Sequence, residues 1–380
     1  MNINRRKLLH CGVASLLTGY ASMVFGESVF RSECHSTAKK ESNSRILSAS
    51  SNDRGEYFLT ITDNNNRLLY QHQLPSRGHA ITVNQRHQRI FCISRRPENM
   101  ISVLSMEGEL LQRISTPPER HLYGHAVCDS NGDFLYTTEN NISDGNGRIG
   151  VWDIRKQTAL LTTFSSYGVG PHDIALSHDQ QYLIVANGGI RTAPQSGRKK
   201  LNIDTMSPSL VFIDRVSGQL HKRLQLPSRF QHNSIRHLAT DDQGNVFIAL
   251  QNQLKNNPNE LLLIRYDKIK DQLIPLQVPT HLVTRLQGYI GSIALDHSQS
   301  VIGATSPRGN CVLFYSIDGT FLYHLNNEDI CGIQAGHTTG EFILSSGKGE
   351  IIRCLAREKL SILSARKHNS IYWDNHLSRT

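Results

Sequence analysis

Four histidines carry the chemistry this chain could do: His79, His125, His172 and His237, each opening a short apolar, strand-like run. Aligning the apolar positions of these runs puts His79, Gly124, His172, Arg236, Gly291 and Cys331 at equivalent places, with His125 and His237 one residue later. Imidazoles, a guanidinium and a thiol gathered at one mouth are not something core packing requires. Neutral imidazoles at His79, His125, His172 and His237 would bind a transition metal, with Cys331 as a further ligand, and such a set suits copper, iron and zinc alike. Together with Arg236, the same groups would instead bind a small anion or an organic cofactor, or act as acid and base on a substrate. In a third arrangement the histidines cap strands and the face docks a protein. No short ligand motif decides among the three.

A second set of candidates lies in loops expected on the same face. They are Arg95 and Arg96 before Pro97, Glu139 and Asn140, Asn187 and Arg191, Arg308 in Ser306-Pro307-Arg308-Gly309, and Lys348 between two glycines. Glycine beside Arg or Lys suits close approach to an anionic ligand. The longest of these loops carries Arg191, Arg198, Lys199 and Lys200 and is placed to lie over the mouth as a lid. The pairs His178/Asp179 and His297/Asp296 fall in turns at the opposite end and read as solvated turn residues.

What must position these groups is a repeat. Residues 168–220 read as one complete unit, with strands at 173–177, 182–187, 209–214 and from 219, a turn at 178–181, and a Ser217-Gly218 turn. Seven such units lie between residues 46 and 364, at the roughly 40–50-residue pitch of propeller blades. The expected fold is all-β, a seven-bladed β-propeller, since a four-stranded sheet must pack against neighbours on both faces to bury itself. The first unit supplies only three strands. The tail from His368 to His376, with Tyr372 and Trp373, is expected to pair with or dock beside that unit and close the ring.

Charged residues make up 19% and hydrophobic residues 38%, a globular composition with no internal membrane span. Arg5-Arg6-Lys7 precedes an uncharged stretch diluted with Gly, Ser and Thr, the layout of a twin-arginine leader over residues 1–26. A flexible lead-in over 27–44 and a single propeller domain over 45–380 follow. That leader implies a periplasmic protein. The formal charge is +9, and losing the three leader cations leaves about +6, which favours an anionic ligand. No basic run exceeds Arg198-Lys199-Lys200, so nucleic acid is not the expected partner. Cys92, Cys311 and Cys354 sit inside apolar runs as small hydrophobes, and neither a CxxC nor a haem-binding CxxCH occurs. No nucleophile elbow or P-loop occurs, nor a GxGxxG in strand-then-helix context, since Gly145-Asn146-Gly147 precedes a strand and reads as a turn.

Several motifs fit one known pattern: Arg77-Gly78-His79, Tyr123-Gly124-His125, Gly150-Val151-Trp152-Asp153, Gly170-Pro171-His172, Ser234-Ile235-Arg236-His237-Leu238, Thr305-Ser306-Pro307-Arg308-Gly309-Asn310 and Trp373-Asp374-Asn375-His376-Leu377. They resemble a bacterial family of twin-arginine-exported, seven-bladed propellers of unknown function, over almost the whole mature chain. The resemblance implies a periplasmic propeller in iron or redox homeostasis, grouped with imelysin-like or di-haem peroxidase-like partners. It carries over no catalytic residues. Ala80 and Ala126 depart from the glycine common after these two histidines. A more distant similarity to quinoprotein dehydrogenase and nitrous-oxide reductase propellers, the latter with a His-ringed copper site, is an analogy of fold. It frames the alternative of a copper- or iron-dependent or quinoprotein-like oxidoreductase, or its accessory subunit.

Overall fold

The computed structural model describes residues 44–197, 199–254 and 261–380. The leader, the lead-in up to residue 43, Arg198 and residues 255–260 of the loop after Gln251 lie outside the described residues.

The described chain is a seven-bladed propeller of antiparallel sheets. Blade 1 contains β1 (Arg45–Ser51), β2 (Tyr57–Asp63) and β3 (Leu68–Leu74). Blade 2 runs from β4 (Gly78–Asn84) through β5 (Arg89–Ser94) and β6 (Met100–Ser105) to β7 (Leu110–Ser115). Blade 3 is β8 (Arg120–Cys128), β9 (Phe134–Asn141), β10 (Gly147–Asp153) and β11 (Ala159–Ser165). Blade 4 is β12 (Pro171–Leu176), β13 (Tyr182–Asn187), β14 (Ser209–Asp214) and β15 (Leu220–Gln225). Blade 5 is β16 (Asn233–Thr240), β17 (Val246–Asn252), β18 (Leu263–Asp267) and β19 (Gln272–Pro275). Blade 6 is β20 (Ser292–Leu295), β21 (Val301–Ser306), β22 (Cys311–Ser316) and β23 (Phe321–Asn326). Blade 7 is β24 (Ile330–Ala335), β25 (Glu341–Ser346), β26 (Glu350–Ala356) and β27 (Leu360–Lys367).

Burial explains the sequence pattern. Second strands such as β5 and β13 are buried on both faces, so they read as continuous apolar runs. Outermost strands such as β7 and β15 face solvent along most of their length and read as mixed. The core is divided into interblade layers. Ile184, Leu210 and Phe212 of blade 4 pack on Ile235, Val246 and Ile248 of blade 5, and each other junction has its own apolar cluster. The last junction, between blades 7 and 1, joins Ile343 and Ile351 to Ile46, Ile371, Trp373 and Leu377.

That junction depends on the tail. β28 (Tyr372–Trp373) and β29 (Ser378–Arg379) pair antiparallel with β1 and serve as the missing innermost strand of blade 1. Trp373 stands opposite Ser50 and Ser378 opposite Leu47, so the tail uses more residues than its partner and bows inward between them. Asp374, Asn375 and His376 occupy the bow.

One turn reading changes. Asp296 is buried rather than solvated: it accepts hydrogen bonds from Ser300 N and Val301 N, and from Gly340 N of blade 7 at 2.8 Å. Its carboxylate therefore ties adjacent blades together, a role its neighbour His297 does not hint at. Asp179 stays a local turn residue, accepting from Ser177 Oγ and Gln181 N. Cys92, Cys311 and Cys354 are buried and free, as small hydrophobes.

Candidate functional site

The innermost strands do not run regularly where they meet the axis. β12 pairs Pro171 with Asn187 and then Asp173 with Ala186, leaving His172 as an extra residue. β16 does the same at Arg236, β24 at Cys331, and β4 and β8 loosen around His79 and His125. A bulge re-aims the side chains beside it. Hence Arg236 and His237, consecutive in sequence, both line the axial cavity, which a regular strand with alternating faces forbids. His237 therefore reaches the axis although it stands one residue after the place that His172 holds in β12.

The result is a cluster of five imidazoles, because the tail adds His376 to the four expected. Its ring centroid lies 4.6 Å from those of both His79 and His125 and 4.7 Å from that of His237. His79 and His125 are 5.0 Å apart, and His172 and His237 4.8 Å. Two triads place one ligand atom per residue within 4.8 Å of one another: His79, His125 and His376, and His125, His172 and His237.

Carboxylates orient the rings. His79 Nδ1–H donates to Asp374 Oδ1 at 2.9 Å, and Arg77 Nε holds the other oxygen at 2.5 Å. His125 Nδ1 meets Asp173 Oδ1 at 3.0 Å. An ionised carboxylate only accepts, so both histidines carry hydrogen on Nδ1 and turn Nε2 toward the axis, the tautomer a metal ligand needs. Burial on its own would raise both aspartates, but the histidine contacts hold Asp374 and Asp173 below the usual carboxylate range. Nε2 of His125 and Nε2 of His376 are buried with no hydrogen-bond partner among the described residues. His172 differs: Arg236 Nη1 donates to its Nδ1 at 3.1 Å, which leaves its hydrogen on Nε2. The first triad is therefore the better prepared for a cation.

Burial disfavours the charged imidazoles, bringing His79 down to about 4 and His172, His237 and His376 well below 6.5. In the unfolded chain these groups gain protons as pH falls through 6.5, while folded His79 does not until about 4. Stability of the metal-free protein should thus fall as pH drops across that window, by about 1.4 kcal/mol per pH unit for each such histidine. Denaturant melts at several pH values measure it; a flat profile there would contradict the burial of neutral imidazoles.

Gly124 makes the packing possible. Its φ is +109°, and a Cβ there would lie 2.6 Å from His79 Cδ2. Gly124→Ala is expected to cost about 1–2 kcal/mol through backbone strain alone, and to push His79 off the axis. Thermal melts and metal titration of this variant should move together.

Above the cluster opens a cavity of about 830 Å³. Arg95, Arg96, Arg236 and Arg308 line it, with Lys200 reaching in from the long blade 4 loop. Arg96 lies 5.8 Å over the Tyr123 ring and Arg308 4.4 Å over Tyr289. Tyr123, Tyr289, Gln251 and Asn375 share the lining, and sequence inspection had not singled them out as site residues.

Other expected residues lie elsewhere. Glu139 is fully buried inside blade 3, paired with Arg120 Nη1 at 2.9 Å and bonded by Thr137, and burial raises its carboxyl. Asn140 bonds the His121 ring across β8 and β9, and Asn187 donates to Ser166 O, just after β11, at 2.8 Å. Arg191 is exposed beside Gly145, and Lys348 pairs with Glu328 on the surface of blade 7. Cys331 is corrected as a metal ligand. It lies outside both triads: its thiol faces the carbonyl oxygens of Ser345 and Asp374 at 3.4 Å, and burial pushes it up to about 12. The fourth-blade loop borders the mouth through Lys200, whose Nζ donates to Gln253 O at 2.9 Å.

Structural similarity agrees with the architecture. The chain is similar to the periplasmic gluconolactonase PpgL of Pseudomonas aeruginosa, with a TM-score of 0.63 at 12% identity, covering 89% of this chain and 99% of that one. It is likewise similar to a candidate 6-phosphogluconolactonase of Bacteroides fragilis, with a TM-score of 0.62 at 14% identity and 89% and 98% coverage. Hydrazine synthase of Kuenenia stuttgartiensis gives 0.59 at 10% identity, with 85% and 95% coverage. At such identities the likeness is one of fold. No curated protein matches the sequence. The family model for the protein of unknown function DUF1513 matches residues 72–380, from the outer strand of blade 1 through the closing tail that brings His376, and the chain belongs to that family.

Proposed function

We propose that the chain is a periplasmic propeller that holds one transition-metal ion, copper or iron, on its axis through His79, His125 and His376, beneath a cationic mouth. One observation carries the reading: among the described residues, Nε2 of His125 and Nε2 of His376 are buried without partners, in a triad whose ligand atoms lie within 4.8 Å of one another. Buried polar atoms are rarely left unsatisfied, and each such atom costs stability. A single cation would satisfy the whole triad. Asp374 and Asp173 act as the outer partners that fix ring orientation in metal sites. Three imidazoles leave positions open toward the mouth, where a bound molecule could meet the ion. The leader motif Arg5-Arg6-Lys7 supports export, and the family resemblance supports a role in iron or redox homeostasis beside an imelysin-like or di-haem peroxidase-like partner.

Elemental analysis of protein exported in a native-like host tests this. About one equivalent of copper or iron per chain is expected, and metal-free protein should regain it on titration. Protein that neither carries nor takes up copper, iron or zinc would overturn the reading.

A further inference from the structure

Among the described residues, no carboxylate lines the mouth above the histidines to balance Arg236. Arg236 is 7% exposed, so its guanidinium is largely out of water. Its described contact is with His172, a neutral acceptor, and its Nε is buried with no partner among the described residues. Burying a cation without a counter-charge is costly, and folds normally supply a carboxylate. Here Arg95, Arg96 and Arg308 surround it, and the described lining contains no Asp or Glu. Burial, then the charges of Arg96 and Arg95, draw Arg236 down to about 10. Neutral donors point to the same need: Tyr123 Oη is buried without a partner among the described residues, and His172, held by Arg236, keeps its hydrogen on Nε2.

We infer that this cavity binds a small organic polyanion, a di- or tricarboxylate, anchored on Arg236 and clasped by Arg95, Arg96 and Arg308. Several guanidinium groups around one space call for more than one negative charge, and their planar forks match carboxylates in two-point contacts. A cavity of about 830 Å³ with Leu254, Val283 and Tyr289 in its walls suits an organic molecule better than an inorganic oxyanion. The inference shares its mouth with the metal reading and would place a carboxylate where the ion's open side lies. Binding to the arginines does not require the ion.

The test is calorimetric titration of the metal-free mature chain in phosphate-free buffer, using citrate, succinate, acetate and inorganic phosphate as probes. Citrate or succinate should bind at least about 10-fold tighter than acetate or phosphate, with affinity falling as salt rises. Arg236→Gln should weaken the tighter ligand by about 10-fold or more, and Arg236→Lys should restore part of the loss. If Arg236→Gln melts early, Arg308→Gln, nearer the surface, should weaken binding instead. Phosphate binding as tightly as citrate would overturn the organic class, and unchanged affinity in both arginine variants, or no binding, would overturn the site. Because the titration uses metal-free protein, failure of metal uptake leaves its outcome standing, and the reverse also holds.

Discussion

Replacing His125 by alanine is expected to abolish stoichiometric metal uptake, more completely than replacing any other single histidine. The reason is positional. His125 is the one member common to both triads, so its loss breaks His79–His125–His376 and His125–His172–His237 together. Losing His376 leaves the second triad, and losing His172 leaves the first. Removing an outer-shell partner costs about 10–100-fold in metal affinity, so removing the shared ligand should cost more than about 100-fold. His376→Ala should fall between, and His172→Ala should cost least, since His172 Nδ1 is engaged by Arg236. Competition against a chromophoric chelator ranks all three. If His125→Ala keeps its affinity, or if His172→Ala is the most damaging, the ligand assignment is wrong.

Deleting residues 372–380 should prevent cooperative folding. The deleted segment forms the inner strand of blade 1 and contributes Trp373 and Leu377 to the blade 7–blade 1 junction. Burying each of these side chains stabilises by about 1.5–3 kcal/mol. The deletion also strips His79 and Arg77 of Asp374, and exposes one edge of β1. Together the losses reach about 5 kcal/mol or more, comparable to the whole stability of many domains. Circular dichroism melts and limited proteolysis should show a non-cooperative, readily cleaved chain. A truncated protein melting within a few degrees of the full chain would show that the ring closes without its tail. The same argument couples ligand binding to closure. His376 reaches the axis only when the tail is docked, so a bound ion should raise the melting temperature by mass action.

The propeller was legible because it is periodic: turn signals and doubly buried second strands repeat, and the three-strand first unit announces a missing fourth. Convergence of His79, His125, His172 and His237 was legible for the same reason, since equivalent places in each repeat meet at the axis. His376 was harder to see. Its signal lay in combining two observations, a unit one strand short and a tail carrying Asp374 and His376, which places that histidine in line with the others. Loop candidates fared less evenly. Arg95, Arg96 and Arg308 reach the cavity, whereas Glu139 and Asn140 are turned into blade 3 by Arg120 and His121, and Asn187 is turned toward Ser166 at the end of that blade. Which way a polar side chain at a strand end turns depends on local bulges and partners far away in sequence, and periodicity does not encode that. Cys331 occupies an equivalent bulge yet faces backbone carbonyls, for the same reason.

One measurement bears most directly on the axial metal. Crystals of the copper- or iron-loaded protein, with data collected at the absorption edge of that element, should give a single anomalous peak about 2.0–2.3 Å from one nitrogen each of His79, His125 and His376. A peak elsewhere on the surface, or none at the axis at full loading, would contradict it.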